Sequence, residues 1–394
     1  TNPRTKENGK TQFYNATSDE IDRAVTLAAQ AYKITRTYSS HKLADFLDII
    51  ADEIEALGDS LLNTADWETG LGLPRLQGER GRTTGQLRKF GALLRDGSYV
   101  DAIIDTATDA NPDIRRMLIP LGPVAVFSAS NFPFAFAVAG GDTASAFAAG
   151  CPVIVKGHPA QPATSELFAH AINTAIEKCE FPAGFFSLIQ GDEIEVGQTL
   201  VKHPLLEAVG FTGSLRGGRA IFDTVSARPR PIPVFAEMGS VNPMVFMPHA
   251  LENRGEEIAS ELVASVNLGG GQFCTNPGLL FVIDSPQSQA FIESMKEKMG
   301  TVDPCVLLNE QIQDGLAKTI SNTCNNTSVD LLVGGHIQLD DQYTYASTVM
   351  KTSASHFRAS PSLQVEHFGP VTLFVICESM DDLCETLSGL EGNL

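Results

Sequence analysis

The amino-acid sequence predicts an α/β fold built on a parallel β-sheet, followed by a second α/β domain. From residue 124 onward, short apolar segments alternate with helix-like segments, which is typical of a parallel sheet covered by helices on both faces. The chain has 394 residues, of which 43% are hydrophobic, so it is long enough for two domains with separate cores. The first quarter has the spacing of apolar residues that helices show.

Four helices are predicted in this first quarter. Thr17 and Glu20 have the spacing of a capping box, and they precede an apolar face that begins at Ile21. A second helix covers about residues 43–57 and ends at Gly58, and a third runs to about residue 70. A fourth, polar and rich in arginine, covers about residues 75–94.

A two-stranded ribbon is predicted next. Residues 98–104 and 114–119 have the composition of strands, and the segment 109–113 between them is rich in turn-forming residues. A ribbon that projects from a domain can form a contact between subunits. An ordinary edge hairpin explains the same pattern equally well.

The predicted parallel sheet begins after the ribbon. Its strands cover residues 124–127, 153–155, 185–189, 208–211 and 233–235. Helices are predicted between and after them at 135–149, 163–178, 193–201 and 215–225. Because ligands of such sheets bind at the carboxyl ends of the strands, the residues that follow each strand are candidates for a site.

A second α/β unit is predicted from about residue 239. It repeats the alternation more loosely, with strands near 244–247, 279–283 and 371–377 and helices near 257–268 and 288–299. We find neither an internal repeat nor a low-complexity linker in the sequence.

Two polar side chains follow the first strands of the predicted parallel sheet. Asn131 comes after the first strand, where its amide can donate a hydrogen bond to a developing oxyanion, although Asn-x-Pro is also a common turn. Lys156 ends the second strand, where it can bind a ribose or a phosphate. An exposed lysine at a strand end is an equally good interpretation.

Two further features follow the fourth and fifth strands. Gly213, Ser214 and Gly217 lie where the fourth strand passes into a helix, so backbone N–H groups there can hold a phosphate. This segment is not the GxGxxG fingerprint of dinucleotide sites, and alone it is a weak signal. Glu237 ends the fifth strand and can act as a general base in a partly apolar site; alone, it reads as an ordinary carboxylate.

A cysteine follows three glycines in the segment 268–276. Gly269, Gly270 and Gly271 allow a close approach to the backbone and φ values that other residues avoid. Cys274, held in so open a loop, can attack a carbonyl carbon as a thiolate. For a cysteine considered alone, a small apolar residue in a tight turn is the better interpretation; the other motifs reverse this preference.

Composition limits the partners and the compartment. With 28 basic and 47 acidic residues the formal charge is −19, which argues against nucleic acid and against anionic membranes as partners. The seven cysteines show neither a CxxC pair nor a metal-binding spacing, so we expect reduced thiols, no metal and a cytoplasmic location. The first residues do not resemble a signal peptide, and glycines, a proline and Asp142 interrupt the most apolar run, 127–151.

Six motifs, in this order, resemble those of the aldehyde dehydrogenase superfamily over nearly the whole chain. They are Asn131-Phe132-Pro133, Lys156 at a strand end, Phe211-Thr212-Gly213-Ser214, Glu237-Met238-Gly239-Ser240, Gly271-Gln272-Phe273-Cys274 and Glu366-His367-Phe368-Gly369-Pro370-Val371. Ser240 stands where many members have a second glycine. Family members also continue beyond the segment that ends at residue 394, so the C-terminal part of the fold is expected to be absent.

This resemblance implies a division into domains. It implies a Rossmann-like NAD(P)-binding domain of residues 1–97 and 120–238, an oligomerisation ribbon of 98–119 and a catalytic domain of 239–394. It also implies a homodimer or a homotetramer.

The resemblance implies a role for each candidate residue. Cys274 is the nucleophile, Asn131 stabilises the oxyanion and Glu237 activates the hydrolytic water. Lys156 and Glu366 hold the riboses of the cofactor, the loop of Gly213, Ser214 and Gly217 holds its pyrophosphate, and Phe368 packs beside the nicotinamide. A glutamate at 237 favours hydrolysis over transfer to coenzyme A.

The cofactor is expected to be NADP, or NAD. Members that prefer NAD often have a glutamate three residues after the strand-end lysine, and here that position is Pro159. A proline removes the repulsion of a 2′-phosphate, and His158 lies close to Lys156 in sequence. Arg216 and Arg219 lie in the phosphate loop as further cations.

Finer features resemble one branch of the family. Gly78 to Thr83, Gly140 to Thr143 and Val155 to His158 are similar to segments of 2-oxoglutarate semialdehyde (2,5-dioxopentanoate) dehydrogenases and of a bacterial NADP-linked fatty aldehyde dehydrogenase. A semialdehyde that carries a carboxylate is the expected substrate, with Arg82 or Arg88 as its partner. Fatty aldehydes, a non-catalytic structural or binding protein on this fold, and a cysteine hydrolase without cofactor are the alternatives.

Overall fold

The structure is a computed structural model, and it describes residues 1–393. Two compact units can be distinguished in it. The larger unit consists of Gly9–Glu68 and Gly72–Met238, and the smaller unit consists of Thr1–Asn8, Thr69–Leu71 and Gly239–Leu394. The predicted roles of these parts of the chain stay predictions. They are the roles of a cofactor domain, an oligomerisation ribbon and a catalytic domain.

Helices form the beginning of the larger unit. They are α1 (Ser18–Thr35), α2 (Ser40–Ala56), α3 (Gly58–Thr69) and α4 (Leu73–Asp96). The predicted capping box is confirmed, because the Thr17 side chain accepts from the Glu20 N–H and the Glu20 carboxylate accepts from the Thr17 N–H. Gly97, with a φ of 79°, ends α4 in the left-handed conformation that glycine adopts readily.

The predicted ribbon is shorter than expected. It consists of β1 (Ile103–Asp105) and β2 (Ile114–Arg116), which pair in antiparallel orientation. Residues Ser98–Val100 form a 3₁₀ turn instead of a strand, because the left-handed conformations of Gly97 and Asp101 at its two ends interrupt extended backbone.

The parallel sheet of the larger unit has the strand order β5-β4-β3-β6-β7. Its strands are β3 (Val124–Phe127), β4 (Val153–Lys156), β5 (Phe186–Ile189), β6 (Ala208–Gly213) and β7 (Val234–Met238). The helices are α5 (Gly141–Ala148), α6 (Pro162–Lys178), α7 (Ile194–Lys202) and α8 (Leu215–Ser226). The predicted parallel α/β architecture is therefore confirmed.

The two faces of this sheet have different neighbours. Ala125, Ile154 and Val209 on one face form a core with apolar residues of α1, α7 and α8. Because side chains alternate along a strand, Gly210 and Glu237 lie on the opposite face. Helix α5 covers that opposite face at Gly210.

Helix α5 begins later than the predicted residue 135. Residues 135–140 form turns, in which the Gly140 N–H donates to the carbonyl of Ala137. A Cβ at Gly140 would lie 2.5 Å from the carbonyl oxygen of Ala135, so this tight turn requires a glycine.

The smaller unit has a mixed sheet with the strand order β11-β13-β14-β9-β8, in which β11 alone is antiparallel to its neighbour. Its strands are β8 (Pro243–Phe246), β9 (Leu279–Ile283), β11 (Asp330–Val333), β13 (Thr348–Ser353) and β14 (Val371–Cys377). Strands β10 (Cys305–Val306) and β12 (Thr344–Tyr345) form a separate antiparallel pair.

Helices cover both faces of this mixed sheet. They are α9 (Pro248–Asn267), α10 (Pro286–Met299), α11 (Glu310–Cys324), α12 (Ala354–Ala359) and α13 (Met380–Ser388). Leu280 and Val282 pack with α9 and α10, whereas Leu279 and Phe281 pack with residues of α11, α12 and α13. Within residues 1–393, none of the helices has both the length and the apolar character that crossing a bilayer requires.

Candidate active site

The carboxyl edge of the parallel sheet collects the predicted residues of the larger unit. The order of the strands reverses between β3 and β6, where parallel sheets bind ligands just outside the carboxyl ends of the strands. Phe127, the last residue of β3, pairs with Lys156 on one side and with Phe211 on the other. The structure thereby brings together at one edge Asn131, Lys156, Gly213, Ser214, Gly217 and Glu237.

Two residues of α4 hold the loop that carries Asn131. The Arg75 guanidinium donates to the carbonyl oxygen of Asn131 at 2.6 Å. The buried Glu79 carboxylate accepts from the N–H groups of Phe134 and Ala135 at 2.8 and 2.9 Å. Burial raises the pKa of Glu79, while these two N–H groups and Arg75 oppose the rise. Sequence reasoning missed both residues, since their partners lie about 55 residues further along the chain.

The two candidate partners for a substrate carboxylate have different surroundings. Arg88 forms ion pairs with Asp52 and Glu55 at 2.7 and 2.6 Å. The exposed Arg82 instead stacks on aromatic rings, with its guanidinium carbon 5.4 Å from the centre of Phe132 and 5.1 Å from that of Phe136. Phe132 adjoins Asn131, so Arg82 is a cation beside the candidate oxyanion donor. Arg88 is already neutralised by these two carboxylates.

Lys156 is half-buried at the end of β4, and its ammonium donates to the carbonyl oxygen of Gly191. Burial lowers its pKa to about 8, against the opposing charge of Asp192. At neutral pH the side chain is therefore protonated in most molecules, but its proton is held less firmly than that of a solvated lysine.

His158 does not supply the second cation that the sequence offered for a 2′-phosphate. Burial of its ring and the charge of Lys156 lower its pKa to about 3. Its Nδ1 accepts a hydrogen bond from the Ala160 N–H at 3.1 Å, which requires the unprotonated nitrogen. Pro159, the next residue after His158, is exposed. That His158 or Pro159 contacts a cofactor stays a prediction, and His158 would make such a contact as a neutral ring.

The predicted phosphate loop leads into α8. The Ser214 hydroxyl caps this helix by accepting from the Gly217 N–H at 3.2 Å. A Cβ at Gly213 would lie 2.8 Å from the Phe211 ring, so packing of the loop also requires this glycine. Arg219 forms an ion pair with Asp223 at 2.8 Å, whereas Arg216 is exposed at the start of the helix. The helix N-terminus, Arg216 and Lys156 form a donor set that suits an anionic phosphate.

In the smaller unit, the glycine run has the backbone conformation that the sequence predicted. Gly269, Gly270 and Gly271 all have positive φ, of 57°, 69° and 67°. A Cβ at Gly271 would lie 2.1 Å from the carbonyl oxygen of Gly369, so two backbone segments touch here. The expected close approach to the backbone is therefore confirmed, and the segment that approaches is the one that precedes β14.

Polar side chains fix the cysteine loop on both sides of Cys274. The buried Gln272 donates to the carbonyls of Gly269 and Val306 and accepts from the Leu308 N–H. The Asn242 amide donates to the carbonyl oxygen of Cys274 at 2.6 Å and to that of Asn276 at 2.9 Å. With a φ of 41°, Asn242 occupies a conformation that asparagine tolerates better than most residues do. No role was predicted for Asn242 from the sequence.

Glu366 and Phe368 lie near this loop. The Glu366 carboxylate lies against Gly239, where a Cβ would come within 2.9 Å of its Oε2, and accepts from the Ser240 N–H at 3.4 Å. Both residues line a small cavity together with Phe273 and Asn276. The loops that bear Asn242, Cys274 and Glu366 precede β8, β9 and β14, so this cluster lies at the amino edge of the parallel strands.

The predicted site residues thus form two clusters. Asn131, Lys156 and Glu237 belong to the larger unit, and Cys274, Glu366 and Phe368 belong to the smaller unit. A cleft of about 360 Å³ in the larger unit, between the segment 14–16, α1 and β5, is lined by none of them. Chemically, the first cluster can bind an anion and accept a proton, and the second can present a nucleophile from a rigid loop.

Comparisons with known proteins agree on one family. The aldehyde dehydrogenase family matches residues 1–388. The chain is 46% identical over 388 residues to alpha-ketoglutaric semialdehyde dehydrogenase 2 of Azospirillum brasilense, which covers 97% of this chain and 74% of that protein. It is 44% identical over 384 residues to alpha-ketoglutaric semialdehyde dehydrogenase of Acinetobacter baylyi, covering 96% of this chain and 72% of that protein.

Solved structures share the fold. A 3,6-anhydro-L-galactose dehydrogenase in complex with NAP superimposes with a TM-score of 0.84 at 22% identity, covering 98% of this chain and 80% of that one. Betaine aldehyde dehydrogenase of Staphylococcus aureus in complex with NAD⁺ also gives 0.84, at 18% identity, covering 98% and 76% of the two chains. At these identities the likeness concerns the fold alone.

Proposed function

The chain belongs to the aldehyde dehydrogenase family, as its motifs predicted, and we propose that it oxidises 2-oxoglutarate semialdehyde to 2-oxoglutarate with NAD(P). Two relatives at 46% and 44% identity bear the name of alpha-ketoglutaric semialdehyde dehydrogenase. The observation that carries the proposal is the cysteine loop, in which Gln272 and Asn242 fix the backbone on both sides of a half-buried Cys274. A loop fixed in this way holds a thiol in one position before substrate arrives.

We assign the chemical steps to three residues. The thiolate of Cys274 forms a bond to the aldehyde carbon, and the carbonyl oxygen becomes the oxyanion of a thiohemiacetal. The Asn131 amide donates to that oxygen. Once the carbon has lost its hydride, the thioester on Cys274 remains. Glu237 takes a proton from water, whose oxygen attacks the thioester carbon, and the carboxylic acid and the free thiol result.

The donor set at the carboxyl edge of the larger unit fits an anionic dinucleotide. A bound NAD(P) supplies the hydride acceptor of the oxidation. Lys156 would hold a ribose of this cofactor, and Gly213, Ser214 and Gly217 its pyrophosphate at the start of α8. In the smaller unit, Glu366 would hold the other ribose and Phe368 would pack beside the nicotinamide.

We propose that NADP is used at least as well as NAD. The position that bears a glutamate in many NAD-preferring members is Pro159, so a 2′-phosphate meets no carboxylate from it. Lys156, protonated at neutral pH, and the exposed Arg216 are the cations in favour of the phosphate. Because His158 is neutral and Arg219 is paired with Asp223, few cations are left for the 2′-phosphate. We expect this phosphate to add binding free energy at the lower end of about 1–3 kcal/mol in favour of NADP.

The substrate carboxylate is assigned to Arg82. Its guanidinium lies on Phe132, next to the proposed oxyanion donor, and it is exposed. An arginine that keeps its donors free can bind a carboxylate bidentately, whereas Arg88 already binds two carboxylates. Arg82 therefore favours a semialdehyde with a carboxylate over a fatty aldehyde.

We also propose a homo-oligomer formed through the ribbon. Apolar side chains in and after its strands face solvent, among them Ile104 at 63% and Ile119 at 72% exposure. Exposed apolar side chains gathered in one segment favour a contact between subunits. Light scattering of the wild type and of Ile104→Glu tests this assignment; a monomeric wild type contradicts it.

The function is tested by measuring absorbance at 340 nm with a panel of aldehydes and both cofactors. We expect the highest kcat/KM for 2-oxoglutarate semialdehyde and no turnover in Cys274→Ala, with cofactor binding retained. A higher kcat/KM for long-chain aldehydes would favour the fatty aldehyde alternative. Absence of turnover with every aldehyde would favour a non-catalytic protein, and aldehyde-independent hydrolysis would favour a cysteine hydrolase.

The Arg82 assignment is tested with a matched control. Arg82→Gln should raise KM for the semialdehyde by roughly 10- to 100-fold, the effect of losing a bidentate carboxylate contact. Arg88→Gln removes the same charge from the same helix, and KM should stay within about twofold of wild type. Equal effects of the two variants would show that the charge of the helix acts non-specifically.

A further inference from the structure

A short segment before β14 carries two of the residues that we assigned to the cofactor. Residues 365–368 lie outside helices and strands, after the 3₁₀ turn Pro361–Leu363. Glu366 and Phe368 belong to this segment, and His367 lies between them. Because such a segment is not held by the ladder of a helix or sheet, its conformation depends on the contacts of its side chains.

His367 attaches this segment to α11. Its Nε2 and the hydroxyl of Thr323, in the last turn of α11, form a hydrogen bond of 3.0 Å. Both side chains are buried, and burial lowers the pKa of His367 to about 4, so its ring is neutral at pH 7. Either group can be the donor, according to the tautomer of the ring. Breaking a buried bond of this kind is costly, since it leaves both polar groups without that partner.

The same helix also holds the end of the segment. A Cβ at Gly369 would lie 2.3 Å from Leu316 Cδ2, so the backbone of Gly369 packs closely on α11. Leu316 and Thr323 are seven residues apart in α11, which is two helical turns or about 10 Å, and they therefore share one face of the helix. The segment follows this face, and His367 and Gly369 both hold it there.

Glu366 and His367 have different neighbours. The Glu366 carboxylate lies against Gly239 and accepts from the Ser240 N–H, whereas the His367 ring contacts α11. Glu366 and Phe368 line the small cavity described above. The bond between His367 and α11 therefore fixes the backbone between two cavity residues without using their side chains.

We propose that His367 is a positioning residue for the cofactor: by binding Thr323 it fixes the backbone that presents Glu366 and Phe368. The inference rests on the proposed roles of Glu366 and Phe368. A segment that is ordered beforehand loses less conformational entropy when a ligand binds to it. The hydrogen bond to Thr323 should therefore tighten cofactor binding, although neither of its partners reacts.

A buried histidine also has a structural explanation. The hydrogen bond to Thr323 satisfies a polar ring that burial separates from water, and it stabilises the fold. That role alone predicts a lower free energy of unfolding with an unchanged Kd for the cofactor. Stability and Kd measured on the same variants therefore distinguish the two roles.

The test is the Kd for NADP in Thr323→Val, which keeps the shape of the side chain and removes the hydroxyl. In titration calorimetry we expect a Kd roughly 5- to 30-fold higher than that of the wild type, the effect of ordering about one more residue on binding. KM for the aldehyde should stay within about twofold, because neither His367 nor Thr323 is assigned to the substrate. Thr323→Ser, which restores a hydroxyl, should return the Kd toward its wild-type value.

Thr319→Val is a matched control. Thr319 lies one turn earlier on α11, is partly exposed, and donates from its hydroxyl to the Gly315 carbonyl at 2.8 Å. The chemical change is the same, and the Kd for NADP should stay within about twofold of the wild-type value. If Thr323→Val also leaves the Kd unchanged, or if both variants raise it equally, the proposal is overturned.

Glu366→Ala separates this inference from the proposed function. If that variant weakens NADP binding and Thr323→Val does not, the role of Glu366 stands and the role of His367 is overturned. If Glu366→Ala leaves the Kd for NADP unchanged, the segment does not hold the cofactor, and the proposed role of Glu366 fails first.

A measurement on the wild-type protein covers the case in which the variants do not fold. The backbone N–H groups of Glu366 and Phe368 should have NMR order parameters of about 0.85 before NADP is added, as rigid backbone has. Values below about 0.6 in the absence of NADP would show that His367 does not fix the segment, and they would overturn the proposal.

Discussion

Substitution of Glu79 by alanine is expected to release the loop that carries Asn131. The Glu79 carboxylate accepts from the N–H groups of Phe134 and Ala135, both of which are buried. Alanine offers no acceptor for either N–H group. The two N–H groups then lose hydrogen bonds that folding otherwise preserves.

The expected loss of stability follows from the two hydrogen bonds to Glu79 and from the burial of its charge. A hydrogen bond to a charged group contributes about 1.5–3 kcal/mol, so two give about 3–6 kcal/mol. Burial of the carboxylate, visible in its raised pKa, opposes this contribution. We therefore expect Glu79→Ala to lower the free energy of unfolding by about 2–4 kcal/mol. Glu79→Gln keeps one carbonyl acceptor of the same shape and should lose only about 0.5–1.5 kcal/mol.

The contribution of Glu79 to the free energy of unfolding changes with pH in a definite direction. Because the folded-state pKa of Glu79 is raised, the folded protein holds this proton more firmly than the unfolded chain does. The stabilisation due to the protonated carboxyl is fully present below the unfolded value of about 4.3 and is lost as pH rises through the folded-state value. Glu79→Gln removes this titration, so its stability relative to wild type should improve across that window.

Urea denaturation at several pH values, together with the rate of the first turnover, measures these effects. We expect Glu79→Ala to slow the formation of NAD(P)H in the first turnover as well, because Asn131 sits on the released loop. Equal stability of Glu79→Ala and wild type would refute the anchoring role. A loss in Glu79→Gln as large as that in Glu79→Ala would show that the charge matters and not the hydrogen bonds.

Three further changes give testable outcomes. Gly271→Ala places a Cβ 2.1 Å from the Gly369 carbonyl oxygen, so we expect the free energy of unfolding, measured in urea melts, to fall by more than about 3 kcal/mol. Gly78 lies in open space on α4, so Gly78→Ala should raise the free energy of unfolding by about 0.5–1 kcal/mol. Pro159→Glu should shift the ratio of kcat/KM for NADP and NAD toward NAD by at least about tenfold, and an unmoved ratio would contradict the assignment of the 2′ position. Because the pKa of Lys156 is lowered to about 8, this side chain loses its charge between pH 7 and pH 9, and the Kd for NADP should rise over that range. In Lys156→Arg the side chain stays protonated, so titration calorimetry should show no such rise.

Local patterns in the sequence were sufficient for the elements whose stabilising contacts lie close along the chain. The capping box at Thr17 and Glu20 joins residues three apart, and the parallel strands of the larger unit are continuous apolar runs. The mixed sheet of the smaller unit was only partly predicted. Strand β11 is partly exposed and antiparallel, and β13 contains Lys351 and several hydroxyl side chains, so neither has the continuous apolar pattern of β14.

The choice between Arg82 and Arg88 shows what the sequence could not decide. Both arginines lie on one predicted polar helix, and they carry the same charge. The partners of Arg88 come from α2, more than 30 residues earlier, and the rings beneath Arg82 come from the loop after β3. Because each assignment depends on pairing between distant segments, spacing along the chain carries no information about it.

In the cysteine motif, too, the residue that reacts differs from the residues that position it. Cys274 was identified through its resemblance to a known nucleophile, and the glycines before it through their backbone freedom. The hydrogen bonds that fix the loop come from Gln272, which adjoins it, and from Asn242, which lies 32 residues away. A polar side chain that serves only backbone carbonyls looks, in a sequence, like any other polar residue. Asn242→Ala should therefore weaken nucleophilic attack without altering any group that reacts, and a normal first-turnover rate in this variant would show that the glycine run alone positions the thiol.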